Sequence, residues 1–535
     1  MDTIIQDFAF FSELSGWTTW GSIAAVLLVL SYTGAPLILW AFLGLVALTG
    51  FGAPVWLIIT YTAIAAVFNI KPIRRALFSG PIMKLLDALN ILPVISETEQ
   101  TAIDAGTVWM EGELFSGSPD FKKMMSESYP EFTEEERAFI DGPVEELCSM
   151  VSDWDVFQRK GFDDKTWEYL REKRFFGLII PEEYGGYGFS ANAHSAIVAK
   201  LASRCGPLAT TVMVPNSLGP AELLMHYGTD EQKNHYLPRL ARGEEVPCFA
   251  LTEPNAGSDA GSMQSTGEVI KGEDGQLYLK LNWDKRYITL AAISTVIGLA
   301  FKLYDPNEYL GKGKDLGITC ALVPSDTDGV ELGKRHDPLG VPFYNCPTRG
   351  HDVIVPIDAV IGGKEGAGNG WRMLMESLAV GRGISLPAQA IGGARTAFRA
   401  IGAYSAIRKQ FGLNIGRFEG IEEPMARIGG YTYLMDAARS YICGALDKGA
   451  KPAVITAIAK YNFTELGREI INDAMDIVGG AGISMGPRNI FAHSYIATPI
   501  AITVEGANIL TRTLMIFGQG AIRSHPYALK EINAL

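Results

Sequence analysis

The sequence predicts a multi-domain α+β protein that is mainly helical. An N-terminal α-helical domain, a small all-β domain and a C-terminal helical domain follow a transmembrane helical hairpin. Three observations carry this. Residues 14–70 contain no Asp, Glu, Lys or Arg. The hydrophobic period is helical from Thr133, changes near Cys248 to short or alternating apolar runs, and becomes helical again from Gly370. The chain has 535 residues, too many for a single core.

The leader, residues 1–20, carries Asp2, Asp7 and Glu13 where a signal peptide would carry basic residues. Residues 21–70 are almost wholly apolar. As helix they would extend ~75 Å at 1.5 Å per residue, while one bilayer crossing needs ~30 Å. The expectation is therefore two crossings, Gly21–Leu48 and Ala53–Ile70, joined by Thr49-Gly50-Phe51-Gly52, with a kink at Gly34-Ala35-Pro36. The alternative is one very hydrophobic soluble hairpin. Lys71-Pro72-Ile73-Arg74-Arg75 follows directly, and basic residues at that end place it, and all that follows, on the cytoplasmic side. Residues 71–130 read as a connecting region, in which Pro81–Leu92 is an apolar helix suited to a membrane surface.

The N-terminal α-helical domain spans 131–246. Thr133-Glu134-Glu135-Glu136 is a helix start with a threonine cap, Trp167–Lys173 a further helix, and Leu178–Gly186 an apolar run into a turn. The β domain spans 247–365, with strands expected at Leu277–Leu281, Tyr287–Leu290, Ala292–Lys302, Ile318–Val323 and Asp352–Val355. Helices return over about 372–408, 423–447 and 451–479, and again after Gly506, within a bundle spanning 366–522 before a tail at 523–535. Their Ala, Gly and Ile content suits close packing and oligomer contacts.

Composition excludes several functions. The net charge is −13, with no basic stripe, so nucleic acid is not an expected partner. Mean hydropathy is +0.13, and the excess lies at the N-terminal end. The six cysteines, Cys148, Cys205, Cys248, Cys320, Cys346 and Cys443, form no CxxC pair and fit a reducing compartment. The seven histidines form no HxxxH or HExxH spacing, so no protein metal site is expected.

One stretch carries chemistry by itself. In Ile502–Leu510 the single carboxylate, Glu505, stands among apolar or small residues. Desolvation raises a carboxyl pKa toward neutrality, the state a base needs to remove a weakly acidic C–H proton. Gly506 lets the backbone approach a ligand. The plain alternative is an acid at a helix start, favoured by the dipole. Three other stretches have two readings each. Phe249–Asp259 closes a strand in small residues, either a plain turn or a ligand cradle of backbone N–H groups. Arg408-Lys409-Gln410-Phe411-Gly412 either caps a helix or binds a phosphate through the arginine and stacks the phenylalanine on a ring. Asp476–Gly482 is a glycine-rich helix end without the preceding strand of a dinucleotide fingerprint.

Leu251-Thr252-Glu253-Pro254-Asn255-Ala256-Gly257-Ser258-Asp259, Lys285–Thr289, Arg408–Gly412, Asp476–Gly482 and Val504-Glu505-Gly506 occur in an order and spacing that together resemble the acyl-CoA dehydrogenases. The resemblance covers about Thr133 to Ile522. With its apolar N-terminal extension the chain is most similar to membrane-associated bacterial members of the family that act in fatty-acid β-oxidation (FadE type). The resemblance implies a helical domain, a β-barrel and a C-terminal four-helix bundle with FAD between them. It implies flavin contacts from Leu251, Thr252, Gly257, Ser258, Tyr287 and Thr289. Arg408 and Phe411 would reach the FAD of a neighbouring subunit, with Gly479 and Gly480 along its diphosphate, in a homodimer or homotetramer. Glu505 matches the catalytic base, and Ser258, Arg382 and Gly506 match positions near the substrate. The chain departs from the family at Asp476, usually Gln, at Ala507, usually Thr, and at His493–Ile500, which replaces an Arg-Asp/Gly-Ala segment. The FadE-type members are usually longer than this sequence.

The implied reaction is α,β-dehydrogenation of an acyl-CoA, long-chain by the inference from membrane location, at the cytoplasmic face of a bacterial inner membrane. Electrons would pass to electron-transfer flavoprotein or another membrane-side acceptor. The alternatives are an acyl-CoA oxidase reoxidised by O2, a catalytically silent acyl-CoA binder tethered to the membrane, and a small transporter. Two crossings without an intramembrane charge disfavour the last.

Overall fold

The computed structural model describes residues 11, 16–89, 96–217 and 219–534. Two compact units lie at Met1–Ile95 and Ser96–Ala534. Most of the expected leader, and residues 90–92 of the expected surface helix, fall outside the described residues.

The first unit does not show the two expected crossings as single helices. Its apolar residues form three short helices, α1 (Gly16–Tyr32), α2 (Leu37–Gly50) and α3 (Val55–Asn69). The segment expected as one crossing over 21–48 is broken between α1 and α2. Gly34 adopts φ +62° there, and Pro36 both lacks an N–H and disfavours helix at Ala35. No single described helix is long and apolar enough to cross a membrane. Val55–Asn69 and Lys71–Ala88 are so only taken together, and they are bent by 84°. The helices α2 and α3 pack on each other either side of the expected turn, and the Tyr61 hydroxyl donates to Ala41 O at 3.0 Å. The helices α1, α2 and α3 expose Trp17, Leu28, Phe42, Trp56 and Ile59.

In the second unit the Thr133 capping box forms as read, with Thr133 Oγ1 accepting from Glu136 N. Two of the helices that follow matter for the site, α4 (Asp153–Arg159) and α5 (Ala191–Arg204), with α6 (Gly206–Met213) directly after. The β region is one seven-stranded sheet: β1 (Pro247–Ala250), β2 (Thr266–Lys271), β3 (Leu277–Ile288), β4 (Val296–Tyr304), β5 (Asp315–Pro324), β6 (Val330–Leu332) and β7 (Cys346–Pro356). Strand β4 takes β1 and β2 in parallel along one edge and β5 antiparallel along the other. The ladder continues β2–β3–β7–β6, and among the described residues nothing pairs β6 with β5, so the expected barrel is an open sheet. The runs read as two strands at 277–281 and 287–290 are one strand, β3, with register shifts after Leu281 and Lys285.

Three long helices then form the C-terminal core: α7 (Gly370–Ile407), α8 (Glu419–Asp447) and α9 (Ala453–Val478). The helix α10 (Ala492–Ala501) leads into the Glu505 turn. The core is continuous from Phe139 and Leu147, through Leu281 and Phe301 in the sheet, to Ile391 and Phe463 in the bundle. Segment 96–130 packs on this unit: Trp371 Nε1 donates to Thr98 O at 3.0 Å and Thr107 N to Lys451 O at 2.9 Å.

Candidate active site

Glu505 sits where the chain turns between α10 and the last helical segment. Its φ of +54° is a left-handed conformation that a side chain adopts only under constraint, and Gly506 follows at φ +88°. The constraint comes from two cations. Arg382 on α7 donates from Nε to Glu505 O at 2.8 Å. Lys460 on α9, fully buried, donates from Nζ to Gly506 O at 2.8 Å and to Asn508 Oδ1 at 2.7 Å. Asn508 in turn donates to Thr464 Oγ1 and Glu465 Oε1, while Thr511 Oγ1 donates to Gly506 O. A methyl group on Gly506 would meet Thr511 Oγ1 at 3.0 Å, in addition to the strain at that φ.

The cations bind the backbone of this turn and not the acid. Both Glu505 carboxyl oxygens are sealed from solvent and have no hydrogen-bond partner among the described residues. Burial raises the Glu505 pKa to about 7, with Arg382 and then Lys460 holding it from rising further. Burial lowers Lys460 to about 8, against the pull of Glu505. The site therefore holds a buried carboxyl group whose pKa lies near neutrality. The Glu505 N–H donates to no acceptor among the described residues.

A second group of expected residues assembles where β1 ends and β3 ends. Arg286 N donates to Thr252 O at 3.0 Å, and Lys285 Nζ to Leu251 O at 3.0 Å. Lys285 also pairs with Glu253 Oε1 at 2.8 Å, with both side chains buried. Burial would raise the Glu253 carboxyl, but Gln264 N, Lys285 and Ser265 outweigh it and hold the pKa below the usual range. This pair locks the Leu251–Asp259 loop to the end of β3. Tyr287 projects from it, 57% exposed at φ +61°, with Arg286 4.9 Å over its ring and His336 at 5.0 Å. His336 Nε2 accepts from Tyr287 N at 3.1 Å.

These residues fit a flavin. Arg286 Nε is buried without a partner, the Thr289 hydroxyl is unused among the described residues, and Gly257 has open space beside its Cα. The loop shares its core with the start of α7, where Leu251 and Ala256 pack with Met373 and Leu374. Arg382 lies nine residues beyond Met373, ~14 Å along the helix.

The remaining expected residues lie elsewhere. Phe411 is 95% exposed at φ +50° in a two-stranded hairpin after α7, with Arg408 beside it. Gly479, at φ +58°, ends α9, and both it and Gly480 face open space. Tyr404 Oη reaches Val478 O at 3.5 Å, so these two helix ends are neighbours. From Arg382 to Arg408 is 26 residues of α7, ~39 Å, which puts this group at the opposite end of the bundle from Glu505.

Lys460, Asn508 and His336 were not singled out by sequence. The available signal for Lys460 was a lone cation in the Ala-rich run 453–463. Replacing Lys460 by Met removes a charge that lowers the Glu505 pKa. The acid limb of kcat/KM is expected to move above pH 7, read from a pH profile of the FAD-loaded protein.

Residues 126–244 match the acyl-CoA dehydrogenase N-terminal domain, 248–353 the middle domain and 368–516 the C-terminal domain. A 3-(aryl)acrylate reductase from Clostridium sporogenes is 36% identical over 332 residues, 60% of this chain and 82% of that protein. The chain belongs to the acyl-CoA dehydrogenase family. A probable acyl-CoA dehydrogenase, FadE10 of Mycobacterium tuberculosis, is 30% identical over 372 residues, 69% of this chain, and the match spans about half (53%) of that relative's length. Among solved structures, butyryl-CoA dehydrogenase from Megasphaera elsdenii superposes with a TM-score of 0.63 at 25% identity, covering 74% of this chain and all of that one. As an acyl-CoA dehydrogenase family member this protein is an FAD-dependent oxidoreductase.

Proposed function

We propose that this protein catalyses α,β-dehydrogenation of an acyl-CoA, with Glu505 as the base that takes the α-proton. The observation that carries this is a sealed, unpartnered carboxyl group with a pKa of about 7, in a turn that Arg382 and Lys460 hold fixed. A base near neutrality has both the ionised population and the proton affinity that a weak C–H acid demands. Holding the turn from its backbone leaves the carboxylate free of hydrogen bonds that would weaken it. Negative charge grows on the thioester oxygen as the proton leaves, and the unused N–H of Glu505 is a donor for it. The FAD, when bound, accepts the β-hydrogen as hydride.

Leu251, Thr252, Gly257, Ser258, Tyr287 and Thr289 would hold the flavin ring, and Ser258, Arg382 and Gly506 would border the substrate. Arg408 lies ~39 Å along α7 from Arg382, with Phe411 after it and Gly479 and Gly480 at the neighbouring end of α9, so these four would serve the FAD of a second copy, in a dimer or tetramer. Exposed Trp, Leu and Phe side chains on α1 to α3 support attachment to a lipid surface. That location favours long-chain acyl-CoA, the cytoplasmic face of a bacterial inner membrane, and electron-transfer flavoprotein or a membrane-side acceptor as partner. The 36% identical relative is named a reductase, which favours a second reading: the same groups acting in the reverse, reducing direction.

The test is anaerobic titration of the purified yellow protein with acyl-CoAs of graded length. Bleaching of the flavin band by saturated esters, fastest with long ones, is expected. No bleaching by any saturated ester, with reoxidation of the reduced protein by an enoyl-CoA, would instead establish the reducing direction. Binding of the full chain to phospholipid vesicles is expected, and its failure to co-sediment would remove the membrane assignment.

A further inference from the structure

A cleft of about 120 Å3 opens between α4, the α5–α6 junction, α7, α9 and α10. Its walls come from the helices that hold the Glu505 turn, and Thr464, which lines it, accepts from Asn508 Nδ2 at 3.0 Å. On α7 it is lined by Gln389, Ala390 and Gly393, two to three turns beyond Arg382; on α9 by Thr464 and Gly467, beyond Lys460; on α10 by Ala501, four residues before Glu505. On α7, α9 and α10 part of the wall is small residues, among them Ala390, Gly393, Gly467 and Ala497. A methyl group on Gly393 would meet nothing within 4 Å, and one on Gly467 would touch only Ala390 Cβ at 3.6 Å. The volume is near the ~150 Å3 that takes up benzene in an engineered protein core.

The far end is not apolar. His493, 6% exposed, lines it. Its ring stacks on Phe157 at 3.6 Å between centroids and 3° between planes, and its Nδ1 bonds Asp153 Oδ2 at 2.5 Å. Its Nε2 has no partner among the described residues. From Ala501 to His493 is eight residues of α10, ~12 Å, so the polar end lies about that far beyond the segment that bears the base.

We propose that this cleft receives the distal part of the acyl group and that His493 Nε2 binds a polar group at its end, so that acyl chains ending in a hydroxyl are preferred over unsubstituted chains of equal length. This rests on the reading of Glu505 as the base. A methyl end placed against Nε2 strips that nitrogen of water and gives it nothing in return, while a hydroxyl satisfies it. Sites built to bond a substrate hydroxyl reject the analogue lacking it strongly, so a preference of about tenfold or more in kcat/KM is expected. Gln389 Oε1, unused while its Nε2 donates to Thr210 Oγ1, offers a second acceptor along the way.

The experiment compares kcat/KM for butanoyl-CoA, dodecanoyl-CoA and ω-hydroxydodecanoyl-CoA on the FAD-loaded wild type, His493→Phe and Gly393→Leu. The wild type should favour the ω-hydroxy ester over dodecanoyl-CoA by about tenfold or more, and His493→Phe should abolish or invert that ratio. Gly393→Leu, which leaves the His493–Asp153 pair in place, should lower both twelve-carbon esters relative to butanoyl-CoA. An unsubstituted chain preferred by the wild type, a ratio unmoved by His493→Phe, or a Gly393→Leu effect equal on all three esters would overturn the assignment. Turnover of butanoyl-CoA, too short to enter the cleft, reports on Glu505 alone. Its absence in the wild type would fault the base and not the cleft.

Discussion

Glu505→Gln is expected to keep FAD and to lose turnover by at least the ~10²–10⁴-fold attributed to a general base. The amide has the shape of the acid but cannot take a proton, and the Arg382 and Lys460 hydrogen bonds go to the backbone of the turn, so they survive the change. The same variant should be more stable than the wild type at pH 8. Because burial raises the folded-state pKa of Glu505 to about 7, its acid form is the one the fold favours. Stability linked to it is fully present below the unfolded value of ~4.3 and is lost as pH rises through about 7. Glutamine carries no such charge. Denaturant melts at pH 5 and pH 8 check this: the gap between variant and wild type should widen at the higher pH. A Glu505→Gln protein with wild-type turnover would remove the base assignment.

Lys285→Met is expected to have the largest effect on stability. Lys285 and Glu253 are a buried ion pair whose side chains are 0% and 4% exposed. Removing one member leaves an uncompensated buried charge, at a cost of ~3–5 kcal/mol. It also removes the bond from Lys285 Nζ to Leu251 O that ties the Leu251–Asp259 loop to β3. Flavin retention should fall together with the denaturation midpoint. The double change Lys285→Met with Glu253→Leu should cost less than the two single changes summed, because it removes the stranded charge. A single change costing under ~1 kcal/mol would show the pair to be solvated, contrary to its burial.

Glu505 could be singled out as a lone carboxylate in an apolar run, but that run alone reads as readily as a helix-start acid, and the motifs that accompany it turned the reading toward a base. The long helices α7, α8 and α9 were legible from their sustained period, to within a few residues at each end. The break between α1 and α2 was signalled by Gly34 and Pro36, yet hydrophobic length alone suggested a single crossing, since composition records what a segment prefers and not where its helix stops. Strands β2 and β6 were not expected. β2 carries Gly267 and Glu268 in its interior and reads as loop, and its place is set by pairing with β3 and β4. Partnerships across the chain were hidden for the same reason. Glu253 meets Lys285 across 32 residues, and Asp153 meets His493 across 340, and only folding makes these pairs. Lys460 was passed over because a single lysine in a helix ordinarily marks a solvated face, whereas here it is buried against the Gly506 carbonyl.

The central claim is that Glu505 supplies a proton acceptor tuned to neutrality by burial. The most direct test is the rate of flavin reduction by a saturated acyl-CoA, followed anaerobically in a stopped-flow instrument from pH 5 to pH 9. The rate should rise about tenfold per pH unit at the acid end and level off above about pH 7, the value to which burial brings Glu505. A rate independent of pH across this range, or the same profile at the same amplitude in Glu505→Gln, would contradict the account.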